Sequence, residues 1–346
     1  MRRLPKTFSK ARRYGHAVGR VMVHESTLLE WQHVERMIES TFRSAIDVTM
    51  ETVYGPYLEG STTSHEIDSG LMRFLEDEYR FLDEISSGTL VAEFMHLKYD
   101  YHNLRVVLKR RQSGQSEADS ILYPLGSVDP GRIERAVDEG LTAVLPDHLL
   151  SALERASSAS RAGADPQVID TVLDREYLER RLRIAVMERS PLLIDFCRAA
   201  IDVANLRVIL RALNLGKSPE YVESALADGG SLERDNLVYL YGQPFDYLAE
   251  RLLDSEYGLM LSDVLSRGER RVRLTSFDQE SDDRLLEAIN GFKAVSVGPE
   301  RIVKYMMARE NEVAVLRIIL MGKLHYLSAE VIEARLPTGN LKELYR

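Results

Sequence analysis

Apolar residues recur along most of this chain at intervals of three and four positions, which is the period of an α-helix. Leu, Ala, Glu and Arg are abundant, whereas alternating runs rich in Val, Thr and Tyr are scarce. Ser218 and Gly298 are each followed by a proline, so a cap residue precedes a proline at the first helical position. The pattern predicts an almost entirely helical protein.

One short pattern of acid, Leu-Arg and aliphatic residues occurs three times. Residues 100–108 read DYHNLRVVL, and residues 202–210, which begin 102 positions later, read DVANLRVIL. Residues 312–320 read EVAVLRIIL, with Val315 in place of the asparagine. Three copies at nearly equal spacing indicate internal duplication.

The spacing of these copies predicts three similar helical-bundle repeats at 14–115, 116–225 and 226–346. Polar stretches at 157–163 and 276–283 predict loops between helical groups.

Each copy of the pattern has an apolar stripe with charged residues at its edges. At 100° per residue, Asp202 and Arg207 lie roughly 70° to either side of the stripe centre, so they cannot pair with each other. In the second copy the stripe consists of Phe196, Ala199, Val203, Leu206, Leu210 and Leu213. In the third copy Arg309 and Lys323 interrupt the stripe, which predicts more exposed ends there.

Two interpretations of the flanking charges remain open. In the first, each charge pairs at the edge of the core within its own repeat. In the second, the arginine of one repeat meets an acid or a carbonyl of the next, or lines a shared central surface, with the copies arranged around a pseudo-threefold axis. The candidate interface or inter-repeat residues are Asp100, Arg105, Asp202, Arg207, Glu312 and Arg317.

Composition narrows the range of partners. The chain has 346 residues, with 45 Lys plus Arg against 54 Asp plus Glu and a net charge of −9. An acidic protein is a poor partner for nucleic acid, whose binding needs a basic surface. The basic segment 1–13 lacks the apolar run of a signal peptide, so we expect a solvated tail, with attraction to an acidic partner or anionic lipid as the alternative.

The single cysteine, Cys197, cannot form an internal disulfide, which favours a reducing compartment. It lies beside the apolar stripe, and we expect a small buried thiol there. No run of about 18 apolar residues is present, so we expect no membrane-spanning helix.

Motifs for common catalytic chemistry are missing. Residues 216–218, Gly-Lys-Ser, resemble the end of a phosphate-binding loop, but Arg211 occupies the position of its first glycine, and a helix stop followed by a helix start explains them. The eight histidines form no His-Glu-x-x-His pattern, and the carboxylates are dispersed over helical faces. We expect no catalytic residues, no cofactor and no metal.

Several segments resemble a known family. Residues 14–21 read YGHAVGRV, and the C-terminal region contains ENEV at 310–313, Leu-Arg at 316–317, GKL at 322–324 and LSAE at 327–330. Over essentially the whole chain, the sequence resembles the C subunits of the archaeal and bacterial A/V-type rotary ATPases, which are relatives of the eukaryotic vacuolar d subunit.

The resemblance implies a funnel of three helical domains around a pseudo-threefold axis. It further implies a non-catalytic socket, one copy per complex, between the central shaft, formed by the D and F subunits, and the membrane rotor ring. Such a protein is peripheral, lies on the cytoplasmic face of a prokaryotic membrane and serves ATP-linked proton or sodium transport. The polar cavity would receive the shaft tip, and exposed apolar and arginine residues at the opposite rim would contact the ring.

Two alternatives come from other classes. One is a helical-repeat scaffold of a different membrane-associated complex, and the other is an enzyme that uses dispersed carboxylates. An apolar pocket with convergent carboxylates of shifted pKa would favour the enzyme, and a broad polar funnel would favour the socket.

Overall fold

The computed structural model describes residues 6–113, 121–162, 167–265 and 274–336, and every regular element in these ranges is a helix. The predicted all-α class is therefore confirmed. The α-helices are α1 (Lys6–Glu25), α2 (Trp31–Glu39), α3 (Phe42–Thr49), α4 (Gly55–Leu58), α5 (Ser64–Ile85), α6 (Val91–Ser113), α7 (Pro130–Asp138), α8 (Asp147–Ala162), α9 (Gln167–Met187), α10 (Pro191–Leu215), α11 (Pro219–Ala225), α12 (Arg234–Tyr241), α13 (Phe245–Leu253), α14 (Gly258–Leu265), α15 (Leu274–Asn290), α16 (Pro299–Leu324) and α17 (Ala329–Glu333). Short 3-10 helices span Thr142–Val144 and Gly291–Ala294.

Contacts between residues divide the chain into two compact units. The first unit consists of Met1–Met95 and Ile289–Arg346, and the second of His96–Ala288. The boundaries between the units fall inside α6 and α15. The three repeats proposed from the sequence have other limits and stay a prediction.

The first unit is built around α16, which packs against α1, α2, α3 and α5. One wall of its core is formed by α5, and α4 approaches α5 so closely that only glycine fits at position 70. A Cβ added to Gly70 would lie 2.2 Å from the carbonyl oxygen of Tyr57. Buried aliphatic residues of α16, including Ile302, Met306 and Leu316, fill the space between these helices.

The second unit has α10 at its centre, packed against α9 and α11, and α9 packs in turn against α8. All six residues of the predicted stripe in α10 are buried. Ile201, Ile209 and Ala212, which lie outside that stripe, are buried as well. The helix is thus enclosed on nearly all sides, and a single-stripe description of it was too narrow.

The Gly-Lys-Ser segment ends one helix and begins another, as expected. Gly216 has φ +58°, and the amide of Lys217 donates to the carbonyl of Ala212 at 3.0 Å, which closes the last turn of α10. The hydroxyl of Ser218 accepts from the amide of Tyr221 at 3.4 Å and caps α11.

Two local predictions were wrong because polar residues occupy the solvent faces of helices: residues 157–162 belong to α8, and residues 276–283 belong to α15. Of the predicted basic tail 1–13, residues 6–13 form the first turns of α1, Arg12 and Arg13 are exposed, and residues 1–5 lie outside the described residues. In α15, Phe277 and Ser281 are fully buried, and the Ser281 hydroxyl donates to the carbonyl of Phe277 at 2.6 Å. This bond satisfies the hydroxyl inside the helix and lets a serine-containing segment remain helical.

Candidate functional site

The acid of the second motif copy is a buried carboxylate that binds residues in a segment that follows its own helix. Asp202 accepts hydrogen bonds from the amides of Ser231 and Leu232 at 2.9 and 3.0 Å and from the hydroxyl of Tyr257 at 2.8 Å. Burial raises the pKa of Asp202, and these three donors oppose that rise. A Cβ on Gly230 would lie 2.1 Å from the Asp202 carboxylate, so the close approach requires glycine.

The first copy repeats this arrangement. Asp100 is fully buried and accepts from the hydroxyl of Ser127 at 2.6 Å and from the amide of Val128 at 3.1 Å. Burial raises its pKa, and the same two donors oppose the rise. Gly126 allows the close approach, because a Cβ there would lie 2.4 Å from Asp100 Oδ1.

The sequence contains a pattern that indicates the partners of both aspartates. The partner segments read Gly-Ser-Val at 126–128 and Gly-Ser-Leu at 230–232. Each tripeptide follows its aspartate at nearly the same distance. Two matched tripeptides after two matched motifs would have predicted the pairing.

Glu312, the acid of the third copy, is also fully buried but meets a distant part of the chain. It accepts from the amide of Leu29, from the hydroxyl of Tyr54 at 2.7 Å and from Nη1 of Arg309 at 2.8 Å. Burial raises the pKa of Glu312, and the charge of Arg309 is the first influence that opposes the rise. Burial and the facing carboxylate together hold the Tyr54 pKa well above its usual value, so Tyr54 remains a donor.

The asparagine of the first two copies clamps a single residue of the following segment. Asn103 donates to the carbonyl of Tyr123 at 2.8 Å and accepts from its amide at 2.9 Å. Asn205 makes the same pair of bonds with Ala227, at 2.9 and 2.8 Å. Such a clamp satisfies both backbone groups of one residue, which is partly buried for Tyr123 and buried for Ala227.

In the third copy Val315 has no polar group to offer, and Arg309 bonds the backbone carbonyls of another segment instead. The guanidinium donates to the carbonyls of His24 and Thr27, at 3.1 and 3.2 Å, and to the Thr27 hydroxyl. The sequence predicted that Arg309 shortens the stripe and lies at an exposed end, but its residue surface is only 1% exposed. That prediction was wrong because the side chain is needed as a buried donor.

Arg309 is the centre of a buried polar cluster in the first unit. Its Nε donates to the hydroxyl of Tyr305 at 3.0 Å, and that hydroxyl donates to Glu78 at 2.5 Å. Burial alone would lower the pKa of Arg309, but Glu312 and nearby tyrosine oxygens raise it above its usual value. The guanidinium also lies over the ring of Phe74, 5.5 Å from its centroid. The raised pKa keeps Arg309 charged.

The motif arginines form partly exposed ion pairs with aspartates on other helices. Arg105 on α6 pairs with Asp170 at 3.2 Å and with Asp174, both on α9. Arg207 on α10 pairs with Asp278 on α15 at 2.8 Å. As expected, Arg207 does not pair with the acid of its own motif. The sequence did not indicate Asp278 as the partner of Arg207, because its polar segment predicts a loop.

Arg317 on α16 pairs with Asp68 on α5 at 2.7 Å. The four partner aspartates therefore recur at three places along the chain, as the arginines do: at 68, at 170 and 174, and at 278. With the limits predicted from the sequence, each arginine and its partner fall in different repeats. Exposed pairs of this kind contribute about 0.2–1 kcal/mol each.

A cavity of about 700 Å³ in the second unit lies between α9, α10 and α11. Its lining includes Asp170, Asp174 and Asp278, and each of these carboxylates is paired with a basic side chain. Arg175 and Arg207 line it as well. The walls thus carry both signs of charge, whereas the pocket that would favour an enzyme is apolar.

The remaining expectations concern single groups. Cys197 is 2% exposed, and burial raises its pKa to about 11, so the predicted buried thiol is confirmed. Within the described ranges, no group of three or more His, Cys, Asp or Glu residues is arranged to hold a metal ion. None of the helices in those ranges is both long and apolar enough to cross a bilayer.

Comparison with known proteins identifies the class to which this helical chain belongs. The family model described as ATP synthase (C/AC39) subunit matches residues 17–335. The chain therefore belongs to the ATP synthase (C/AC39) subunit family.

Relatives with curated names agree with this assignment. The chain is 23% identical over 313 residues to the C subunit of the V-type sodium ATPase of Enterococcus hirae, covering 90% of this chain and 94% of that protein. It is 30% identical over 262 residues to the C subunit of the A-type ATP synthase of Haloferax volcanii, covering 71% and 73%. A third relative, the C subunit of the A-type ATP synthase of Desulfurococcus sp. strain SY, is 26% identical over 345 residues, covering 96% and 90%. This chain is accordingly a C subunit of the A/V-type rotary ATPases, as the sequence resemblance indicated.

Proposed function

We propose that this protein is a non-catalytic component of the central stalk that couples the rotating shaft of an A/V-type ATPase to its membrane rotor ring. The observation that carries the proposal is the family match over residues 17–335, together with the C subunits that match it over nearly their whole length. In this function the protein transmits torque and performs no chemical step itself. Its partners would be the D and F shaft proteins on one side and the rotor ring on the other.

The packing of the described residues suits a part that must resist deformation. Each motif helix is fixed to another segment by a buried acid, and two of the three are also fixed by an asparagine clamp. Buried hydrogen bonds to charged groups contribute about 1.5–3 kcal/mol each. Helices fixed by such contacts resist displacement within their own unit.

The motif arginines are the candidates for contact with a partner. Arg105, Arg207 and Arg317 are each partly exposed while paired with an aspartate. Their repetition at equivalent positions is what contact with a symmetric neighbour would require. We propose the cytoplasmic face of a prokaryotic membrane as the location and one copy per complex as the stoichiometry.

Co-sedimentation of the purified chain with the D–F shaft and, separately, with detergent-solubilised rotor ring tests the proposal. We expect binding to both and no ATP hydrolysis by the chain alone. Binding to neither, or hydrolysis by the chain itself, would reject the proposal and favour a scaffold of another complex or an enzyme.

The variant Arg207→Ala tests the contact role of the arginine. Arg198→Ala is the matched control, because Arg198 is an exposed arginine of the same helix, nine positions away and about 180° around the helix axis. We expect weaker binding of shaft or ring only for Arg207→Ala. Unchanged affinity of a folded Arg207→Ala protein would show that this arginine has no contact role.

A further inference from the structure

The contacts of the three motif copies follow one plan, which we describe as three links. Link 1 joins Asp100 to Val128, and link 2 joins Asp202 to Leu232. Link 3 joins Glu312 to Leu29. In every link a buried acid accepts the backbone amide of a residue that lies just before a short helix, α7, α12 or α2.

Each link is completed by a second polar side chain and by an arginine pair. Asn103 and Asn205 clamp the backbone in links 1 and 2, and in link 3 Arg309 donates to backbone carbonyls instead. With the predicted repeat limits, link 1 joins repeat 1 to repeat 2, and link 2 joins repeat 2 to repeat 3. Link 3 joins repeat 3 back to repeat 1, so the set of contacts forms a closed cycle.

Link 3 differs from the others in how the chain supports it. The bonded residues of links 1 and 2 are 28 and 30 positions apart, so a short stretch of chain holds each pair together. In link 3 the residues are 283 positions apart. Loop-closure entropy makes such an encounter about thirtyfold less probable than closure over 30 residues.

Link 3 also has the densest set of buried polar contacts. Glu312 and Arg309 are both essentially inaccessible to solvent, and they bond to each other at 2.8 Å. Tyr54 donates to Glu312, and Arg309 donates to His24 and Thr27. These polar contacts, together with the packing of α16 against α2 and α3, provide in link 3 the constraint that a short stretch of chain provides in links 1 and 2.

We propose that link 3 is a latch that closes the cycle of three repeats, and that the segment carrying α2, α3 and α4 separates from α16 as one unit when the latch is weakened. The same loss of a bond in link 2 then has only a local effect, because the intervening 30 residues keep that segment in place. The inference concerns the isolated chain and does not depend on the proposed function.

A matched pair of substitutions tests the latch. Tyr54→Phe and Tyr257→Phe each remove one buried hydroxyl that donates to a motif acid, at 2.7 Å in link 3 and 2.8 Å in link 2. Native-state hydrogen exchange is measured on both variants and on the unaltered protein. Peptides covering α2–α4, α9–α10, α12–α14 and α16 are followed over increasing, sub-denaturing urea.

For Tyr54→Phe we expect exchange in α2, α3 and α4 to accelerate together by about ten- to a hundredfold, the effect of one lost hydrogen bond to a charged group. Protection in α9 and α10 should be unchanged. For Tyr257→Phe we expect faster exchange only near residues 231, 232 and 257. Equal acceleration throughout the chain in Tyr54→Phe, or acceleration restricted to the amides beside residue 54, would overturn the proposal.

Arg309→Met provides a second, stronger perturbation of link 3. It removes the guanidinium that bonds to Glu312, His24 and Thr27 while keeping an unbranched apolar side chain. We expect the same set of amides to accelerate as in Tyr54→Phe, and by a larger factor. A different set of amides would contradict the latch, and Tyr54→Phe decides the matter if Arg309→Met does not fold.

Discussion

Replacing Arg309 by methionine should destabilise the first unit by an amount that depends strongly on pH. Arg309 is 1% exposed and is the cation that faces the fully buried carboxylate of Glu312. Methionine fills part of the same volume but provides no charge and no donor. Glu312 would then have to remain ionised in an apolar site or take up a proton.

The magnitude follows from the proton uptake. Burial already raises the Glu312 pKa above its usual value of 4.5, and removing Arg309 removes the charge that opposes this rise. The folded variant then holds a proton that the unfolded chain releases, so its stability falls as the pH rises above about 4.5. At neutral pH the loss should approach the cost of about 3–5 kcal/mol for removing one partner of a buried ion pair, and it should be clearly smaller at pH 5.5.

Urea unfolding followed by tryptophan fluorescence measures this effect, because Trp31 is the single tryptophan and lies on α2 of the first unit. The control is Arg317→Met, which removes an arginine from the same helix but breaks only a partly exposed pair with Asp68. We expect the control to lose less than about 1 kcal/mol at every pH. The double variant Arg309→Met/Glu312→Gln should recover much of the loss at pH 7.5.

An equal loss for Arg309→Met at pH 5.5 and at pH 7.5 would refute the reasoning, because it would mean that Glu312 does not titrate in response to the missing cation. A double variant as unstable as Arg309→Met at high pH would refute it as well. In that case the loss would come from packing or from the backbone contacts of Arg309 alone.

Three smaller predictions concern other parts of the chain. Glu66 accepts the amide of Thr62, and its hydrogen bonds lower its pKa below 4.5. Because the pKa of Glu66 is lower in the folded than in the unfolded chain, its ionised form stabilises the fold above about pH 4.5, and this contribution disappears in acid. The difference in Tm between Glu66→Gln and the unaltered protein should therefore vanish as the pH falls through the folded pKa. Asn205→Ala removes both bonds to the backbone of Ala227 and should cost about 1–3 kcal/mol in urea unfolding followed by circular dichroism, and a loss below about 0.5 kcal/mol would contradict a buried clamp. Cys197 should react with iodoacetamide at pH 8 at least about a hundredfold more slowly in the folded than in the urea-unfolded protein, and comparable rates would show that the thiol is accessible.

Several features of the fold could be predicted because they are properties of short segments. The helical period, the stop at Gly216 and the caps at Ser218 and Gly298 depend on residues only a few positions apart. The loop predicted at 276–283 failed because helix propensity and polarity do not reveal that Phe277 is buried against another helix.

The candidate site was predictable only in part. The repeated acids and arginines were recognised from their pattern, but their partners were not, and the alternatives of pairing within or between repeats stayed open. A signal for the partners was present in the Gly-Ser pairs at 126–127 and 230–231. No comparable signal marks residue 29, so the contact of Glu312 could not be inferred from the sequence in this way.

The sequence by itself determined that the chain is helical, that a motif occurs three times and to which family the chain belongs, since periodicity and motif identity are written in consecutive residues. Only the tertiary structure decided that Arg309 is buried and donates to the backbone carbonyls of His24 and Thr27, and that Glu312 accepts from the amide of Leu29. The reason is physical: whether a charged side chain is exposed or enclosed depends on which distant segment folds against it. For Glu312 and Leu29, that segment lies 283 positions away along the chain.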